Sequence, residues 1–358
     1  MLIVDAHEDI AWNALTFGRD HLRSALAARE AEQGTPAPQQ NGNTMLGLAE
    51  WLLGRVAVVF ATLFAAPARK RLGEWDTQSY ADFSEARRLY SAQLDYYHRL
   101  ADTDRFRLIG SRADLDVVLS SWEGELAARK VGLVPLMESA EAIGEPGELE
   151  DWVERGVRII GPAWAGTRFC GGTGEPGPLT PDGRALLGAM AGLGLTLDLS
   201  HMAEEGFLEA VGEYPGVVIA SHSNARALVR GAKYPDRHLS DEMIGRLAER
   251  GGVMGVVPYN RFLRGDWTPA DGKRAITVDA VAAQIDHICQ LTGSAAHAGI
   301  GSDFDGGFGV EDVPAEIDTV ADLGLIGEAL ARRGYPEADV EAILGGNWLN
   351  LLRRGLPG

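Results

Sequence analysis

Apolar, β-like runs that end in a side chain able to bind a metal recur along this sequence of 358 residues. The runs are IVDAHED, LVPLMES, LTLDLSH, VVIASHS and AGIGSDFDG. Their polar side chains are far apart along the chain, which excludes a zinc finger or a helical His-Glu motif. Only a fold that gathers many strand ends can unite them. A parallel barrel does so, and its active site lies at the carboxyl ends of its strands.

Composition agrees with a globular α/β barrel. Apolar residues make up 46% of the chain and charged residues 23%, and a net charge of -18 argues against nucleic acid as a partner. The two cysteines indicate no disulfide framework and a reducing compartment, so we predict a cytoplasmic protein. The first predicted strand begins at Leu2, so we expect no cleaved signal peptide. The longest apolar stretch, 56–66, has 11 residues, whereas a bilayer span needs about 20, so we predict a buried strand and no membrane association.

Eight short apolar segments read as strands covered on both faces. They lie near 2–6, 56–63, 131–137, 157–161, 195–199, 217–220, 253–257 and 298–301. Helical patterns separate them, with Thr180-Pro181 and Ser240 as helix starts. We therefore predict one (β/α)8 TIM barrel, a single domain over 1–358. Two insertions are expected, near 23–50 with an exposed loop at GTPAPQQNGNT, and near 77–127 with a long amphipathic helix. Both would emerge near the active-site face as candidate covers for the substrate.

The side chains at the strand ends form a candidate metal site. His7 and Asp9 lie two apart, so on a strand they point to the same side. His201 and His222 each follow a serine at the end of an apolar run, and Glu138 ends a strand between these two sets. Three imidazoles with carboxylates suit zinc and tolerate other divalent metals. Each motif alone is more often structural, and it is their joint placement that predicts a metal site.

The segment GSDFDG offers two carboxylates after the eighth strand. Asp303 comes first, where a base can reach a water between two metals, and Asp305 is expected to cap or shape the Gly-rich turn. Two metals flanking a water lower its pKa and position it for attack. A nearby carboxylate can take its proton and return it to the leaving group.

The segments DAHED, LVPLMES, LDLSH, VIASHSNARAL, RHLSDEM and IGSDFDGG, in that order, resemble the membrane dipeptidase (renal dipeptidase) family of zinc metallopeptidases. The similarity runs from residue 2 to the final ILGGNWLNLL, and the family belongs to the wider amidohydrolase group. The resemblance therefore implies a TIM barrel of the metal-dependent hydrolase type. The resemblance implies hydrolysis of dipeptides, often with a D-residue at the C-terminal position, by a hydroxide held between two metals. Homodimers are frequent in the family, so a homodimer is implied by the resemblance alone.

The resemblance also implies a role for each site residue. One zinc ion would be held by His7 and Asp9, the other by His201 and His222, with Glu138 bridging them. Asp303 matches the family's proton-transfer aspartate. Arg237, in YPDRHLSD, matches an arginine that binds the C-terminal carboxylate of the substrate, a task that suits its planar guanidinium.

Two positions depart from the family pattern. The family carries a histidine after the fourth strand that contacts the scissile carbonyl oxygen, and a gap-free alignment puts Trp164 there. Its indole N–H can donate a hydrogen bond, but its bulk can also reshape the pocket. His238 stands where the family often has asparagine, and its neighbour Arg237 makes it a candidate substrate-binding residue.

The leading hypothesis is thus a cytoplasmic dinuclear zinc dipeptidase with a small dipeptide as substrate, L-Xaa-D-Xaa included. A second hypothesis keeps the metals and changes the substrate to another small amide or ester, such as an N-acyl amino acid or a lactone, because barrels change chemistry through their loops. Trp164 favours it. A third hypothesis is a catalytically silent binding barrel, against which the intact ligand set and Asp303 argue.

Overall fold

The computed structural model describes residues 1–358 and contains the predicted barrel of eight parallel strands. The barrel strands are β1 Ile3–Glu8, β2 Val56–Leu63, β3 Val131–Glu138, β4 Ile159–Gly161, β5 Thr196–Asp198, β6 Val218–Ile219, β7 Met254–Val256 and β8 Ala298–Ile300. Their spatial order is β6-β5-β4-β3-β2-β1-β8-β7, and a parallel bridge between Ala220 and Met254 links β6 to β7. All eight strands lie where the sequence predicts them, and the fold class is confirmed.

Helices surround the barrel and fill its connections. They are α1 Ile10–Phe17, α2 Ala25–Ala31, α3 Ala37–Asn41, α4 Leu48–Leu53, α5 Phe83–Ala101, α6 Arg112–Ser121, α7 Leu149–Glu154, α8 Pro181–Gly192, α9 Glu204–Glu213, α10 Asp241–Glu249, α11 Asn260–Leu263, α12 Val278–Thr292, α13 Gly324–Arg332, α14 Glu337–Glu341 and α15 Asn347–Gly355. Thr180 and Ser240 accept from the backbone N–H groups of Gly183 and Met243, as the predicted N-caps of α8 and α10 should. No helix has both the length and the apolarity needed to cross a membrane.

The strands are apolar because both of their faces are covered. Every residue of β2 and of β3 is buried, which is typical of a parallel strand with helices outside and packed side chains inside. Val56–Leu63, which makes up most of the stretch 56–66, is therefore a buried strand, as predicted.

Several short pairings were not predicted. Phe106–Leu108 pairs in parallel with Val131–Leu133 of β3, whereas β4 pairs with the carboxyl half of the same strand. A hairpin joins Cys170–Gly172 to Glu175–Leu179, and Ala66–Pro67 pairs with Ser79–Tyr80. These segments have only 2–5 residues, too few to show a strand pattern of their own. Their partners determine their conformation.

The first insertion is more ordered than the sequence suggests. The predicted exposed loop within 34–44 contains helix α3, and both Asn41 and Thr44 are buried. The reason is Asp305, whose main-chain oxygen accepts from Asn41 Nδ2 at 3.0 Å. Its carboxylate accepts from Thr44 Oγ1, from the Met45 N–H at 2.9 Å and from Arg19 Nη1 at 3.2 Å. Polar residues are buried here because each finds a partner.

We expect Asp305→Ala to lower the free energy of unfolding by about 3–5 kcal/mol, because it leaves Arg19 buried with one of its two carboxylate partners missing. Denaturant unfolding measures this change. Asp318→Ala is the matched control, since Asp318 also pairs with an arginine, Arg29, but is largely exposed. The control should lose at most about 1 kcal/mol. Similar small losses in both variants would contradict the structural role given to Asp305.

Candidate metal centre and substrate cavity

The five predicted ligands meet at the carboxyl ends of β1, β3, β5 and β6. The Nε2 atoms of His201 and His222 lie 3.1 and 3.3 Å from Oε1 of Glu138. His7 Nε2 lies 3.6 Å from the other oxygen, Oε2. The two oxygens of one carboxylate thus face two different groups of imidazoles, which is the arrangement that a bridging ligand needs.

The turn after β8 lies beside the end of β1. The Asp303 N–H donates to the His7 carbonyl at 3.0 Å, and the Asp9 N–H donates to the Phe304 carbonyl at 3.4 Å. These bonds place Asp303 Oδ1 4.0 Å from His7 Nε2, and one donor atom each of His7, Asp9 and Asp303 lies within 4.8 Å of the others. Asp303, which the sequence suggests as a proton carrier, is therefore also a candidate ligand beside His7 and Asp9.

The residues present fit divalent cations. His7 Nε2 and Asp9 Oδ1 are buried and have no hydrogen-bond partner in the protein, and the Nε2 atoms of His201 and His222 lie only 3.0 Å apart. Buried polar atoms are normally satisfied, and a cation bound between the two Nε2 atoms and Glu138 Oε1 would satisfy all three. Nitrogen and carboxylate donors are the ligands that zinc prefers, and other divalent transition metals accept them too.

Hydrogen bonds fix the far side of the imidazole rings. Ser221 Oγ lies 2.8 Å from His222 Nδ1 and donates to Asp198 Oδ2 at 2.5 Å. Thr173 Oγ1 lies 2.9 Å from His201 Nδ1. Such contacts orient metal-binding histidines. None of these three supporting residues was predicted from the sequence, although Asp198 and Ser221 lie inside the motifs LDLSH and ASHS. Thr173 carries no signal of its own.

Burial and neighbouring charges change the pKa values of these groups. Burial lowers the pKa of His201 to about 4 and that of His222 well below its usual range. Burial also lowers the pKa of His7, but carboxylates led by Glu138 outweigh it and raise this pKa to about 9. His201 and His222 are thus neutral and ready to bind a cation, while a cation must displace a proton from His7. Burial raises the pKa of Asp303 to about 7.

The backbone is strained at the site. His201 and Asp303 have φ values of 67° and 58°, and Ser139, which follows Glu138, has 68°. Left-handed conformations of such residues cost on the order of 1–3 kcal/mol each and concentrate at functional sites. Gly306 is required for a different reason. A Cβ atom there would lie 2.4 Å from Asp303 Oδ1 and 2.6 Å from Asp9 Oδ2, so only glycine lets both carboxylates approach.

A cavity of about 520 Å³ opens onto this centre, and Glu138, His201 and Asp303 form part of its wall. The three residues predicted to bind substrate, Arg237, Trp164 and His238, also line it. Neither insertion contributes a lining residue, so the suggestion that one of them covers the substrate is wrong. Instead, many of the wall residues belong to the loops that follow β2, β6 and β7, among them Leu72, Tyr234 and Tyr259.

Arg237 and His238 are buried without full partners. Arg237 is 4% exposed, its Nη2 has no partner, and its Nη1 makes one long hydrogen bond of 3.4 Å to Ser223 Oγ. His238 is 1% exposed and its Nδ1 is unpartnered. Burial lowers the pKa of His238 to about 3, so its ring is neutral. The indole Nε1 of Trp12, also buried in the wall, has no partner either. Ligand atoms can satisfy such groups.

A parallel eight-stranded barrel with clustered imidazoles and carboxylates at the carboxyl ends of its strands defines a metal-dependent hydrolase barrel. The chain matches the family model "Membrane dipeptidase (Peptidase family M19)" over residues 1–355. It therefore belongs to the membrane dipeptidase family of metallopeptidases. The family resemblance and the prediction of a metallo-dipeptidase enzyme are confirmed.

Individual proteins agree with this assignment. The chain is 31% identical over 261 residues to an uncharacterized protein in the pqqA 5' region of Klebsiella pneumoniae, covering 70% of this chain and 89% of that protein. It is 28% identical over 307 residues to dipeptidase verJ of Clonostachys rogersoniana, covering 84% of this chain and 72% of that protein. The solved structure of dipeptidase AC, a metallopeptidase of family M19, superimposes with a TM-score of 0.79 at 25% identity, covering 100% and 99% of the two chains.

Proposed function

We propose that this protein is a dinuclear zinc dipeptidase whose substrates include L-Xaa-D-Xaa dipeptides. The observation that carries the proposal is Glu138, which presents one carboxylate oxygen to His201 and His222 and the other to His7. One cation would be held by His7 and Asp9, the second by His201 and His222, with Glu138 shared. When bound, two divalent cations activate a water molecule and polarise the peptide carbonyl group.

Asp303 would move the proton. Its carboxylate lies at the His7 and Asp9 side of the centre and also lines the substrate cavity. From there it can accept a proton from the attacking water and deliver it to the nitrogen of the leaving amino acid. The C–N peptide bond breaks as that nitrogen gains the proton, and the products are two amino acids.

Arg237 would bind the C-terminal carboxylate of the dipeptide. A buried guanidinium without an anionic partner is unfavourable, and a carboxylate that accepts two hydrogen bonds satisfies it. The unpartnered Nδ1 of the neighbouring His238 offers a further polar contact to the substrate. Trp164 supplies apolar surface at the place where the resemblance implies a histidine that contacts the scissile carbonyl.

We expect Arg237→Met to lower kcat/KM for free dipeptides by about 10- to 100-fold, since a charge-assisted hydrogen bond contributes on the order of 1.5–3 kcal/mol. The wild type should cleave dipeptide amides far more slowly than free dipeptides, and the variant should lose most of this preference. Arg264→Met is the control, because Arg264 pairs with Asp266 and Asp271 outside the cavity. If the wild type cleaves free dipeptides and dipeptide amides equally well, Arg237 does not bind the C-terminal carboxylate of the substrate.

One observation keeps a second function open, namely Trp164 in place of the family histidine. A metal-dependent hydrolase of N-acyl amino acids or lactones would use the same centre with a different substrate. A hydrolysis screen of the zinc-loaded protein against L,L-, L,D- and D,D-dipeptides beside N-acyl amino acids and lactones separates these functions. Turnover of none of these compounds would favour the silent binding barrel. The cytoplasmic location, the homodimer and the single domain over 1–358 stay predictions.

A further inference from the structure

Two aromatic side chains form one wall of the cavity beside the His201 side of the metal centre. The rings of Phe64 and Trp164 pack at 5.1 Å between centroids, and the Trp164 ring lies 6.1 Å from the imidazole of His201. Both side chains are half-buried, and both line the cavity. We call Phe64 and Trp164 the aromatic wall. Neither the proposed proton transfer by Asp303 nor the proposed metal binding involves the apolar surface of the aromatic wall.

Hydrogen bonds hold the backbone of both residues of the aromatic wall in place. Gln93, a fully buried residue of α5, accepts from the Phe64 N–H at 2.8 Å through Oε1 and donates to the Phe64 carbonyl through Nε2. The Trp164 carbonyl accepts from the Thr173 N–H at 3.0 Å, and Thr173 itself contacts His201. Wall and metal centre are thus fixed relative to each other, so apolar groups on a substrate would meet a preformed surface.

Carboxylate binding by Arg237, as proposed above, would determine which end of a dipeptide faces the aromatic wall. Its guanidinium packs over the ring of Phe262 at 5.1 Å, and His238 packs against the same ring at 4.9 Å. A C-terminal carboxylate bound at Arg237 would place the C-terminal residue beside Phe262. The N-terminal residue would then lie across the scissile bond from Arg237, and the aromatic wall beside His201 is the apolar surface available to it there.

We propose that the aromatic wall binds the side chain of the N-terminal residue and makes the enzyme selective for dipeptides with a large aromatic or branched apolar residue at that position. This inference rests on the proposed function. The cavity volume of about 520 Å³ lies in the range of about 300–1,000 Å³ that accommodates ligands of drug size. The aromatic wall gives this cavity an apolar surface next to the metal centre.

The experiment compares kcat/KM of the zinc-loaded protein for Phe-Ala, Ala-Phe and Ala-Ala. We expect Phe-Ala to exceed Ala-Ala by about 10-fold or more, because burying part of a large apolar side chain on the enzyme stabilises the complex. Trp164→Ala and Phe64→Ala should each reduce the ratio of Phe-Ala to Ala-Ala severalfold. Trp164→His, which restores the residue implied by the resemblance, should reduce it too. Phe83→Ala is the aromatic control, since Phe83 is exposed and lies outside the cavity.

Three results would overturn the assignment: similar values for Phe-Ala and Ala-Ala, a preference for Ala-Phe over Phe-Ala, or a ratio that survives all three substitutions in the aromatic wall. Far-ultraviolet circular dichroism and metal content verify that each variant is folded. If no dipeptide is hydrolysed, the proposed function fails. In that case, isothermal titration calorimetry of Phe-Ala and Ala-Ala binding tests the aromatic wall separately. Tighter binding of Phe-Ala by the wild type, lost in Trp164→Ala, supports the aromatic wall as a binding surface. Equal affinities of the wild type for the two dipeptides contradict it.

Discussion

Glu138→Ala is expected to release most of both metal ions and to abolish dipeptide hydrolysis. Glu138 is the one side chain in contact range of His7, His201 and His222 together. Removal of the Glu138 carboxylate leaves three imidazoles around a gap. It also removes the negative charge that favours cation binding. Burial alone would raise the pKa of Glu138, but His7 and the other imidazoles lower it well below its usual range, so the side chain is a carboxylate at neutral pH.

Metal analysis of protein purified without chelator tests this expectation. The wild type should approach two equivalents per chain, as two-metal hydrolases do, and Glu138→Ala should retain well under one. Glu141→Ala is the control, because Glu141 lies three residues further along the chain and accepts from the Arg168 N–H instead of contacting the cluster. A wild-type protein that stays near one equivalent after reconstitution with zinc or manganese would refute the dinuclear centre.

The barrel and its metal centre were predictable because both depend on local patterns. A parallel strand buried on two faces reads as an apolar run, and the residue at its end is automatically on the active-site face. The prediction of a shared site therefore required no long-range contacts for His7, Glu138, His201 and His222. In a parallel barrel, the carboxyl ends of all strands lie on one face.

The parts that could not be predicted depend on contacts between distant segments. Asn41 and Thr44 look like loop residues, and only the buried Asp305 makes them part of the interior. Phe64 and Trp164 stand 100 positions apart, and neither belongs to a motif that places it in a cavity. Gly306 appears in the sequence as one glycine of a Gly-rich turn, although two carboxylates lie close to the position that a Cβ atom would take. Such pairings follow from the assembled barrel and leave no periodic signal in the sequence.

Asp303→Asn is expected to reduce dipeptide turnover by about 10²–10⁴-fold, the usual contribution of a positioned acid–base group. The amide has nearly the same shape as the carboxylate and keeps the strained turn, whose N–H still donates to the His7 carbonyl. It can neither accept the proton of the attacking water nor return it to the leaving nitrogen. The chemical step is therefore lost while the fold is retained.

Metal content separates the two roles open to Asp303. If Asp303 only carries the proton, the Asp303→Asn variant should retain about two equivalents of metal. If Asp303 is also a metal ligand beside His7 and Asp9, the variant should lose about one equivalent. Asp305→Asn is the matched control, because it alters a buried carboxylate two residues away that contacts Arg19 and Thr44 and not the metal centre. It should lower the melting temperature, with a smaller effect on turnover of the folded protein. If Asp305→Asn stops turnover without lowering stability and Asp303→Asn is mild, the proton carrier within GSDFDG has been assigned to the wrong aspartate.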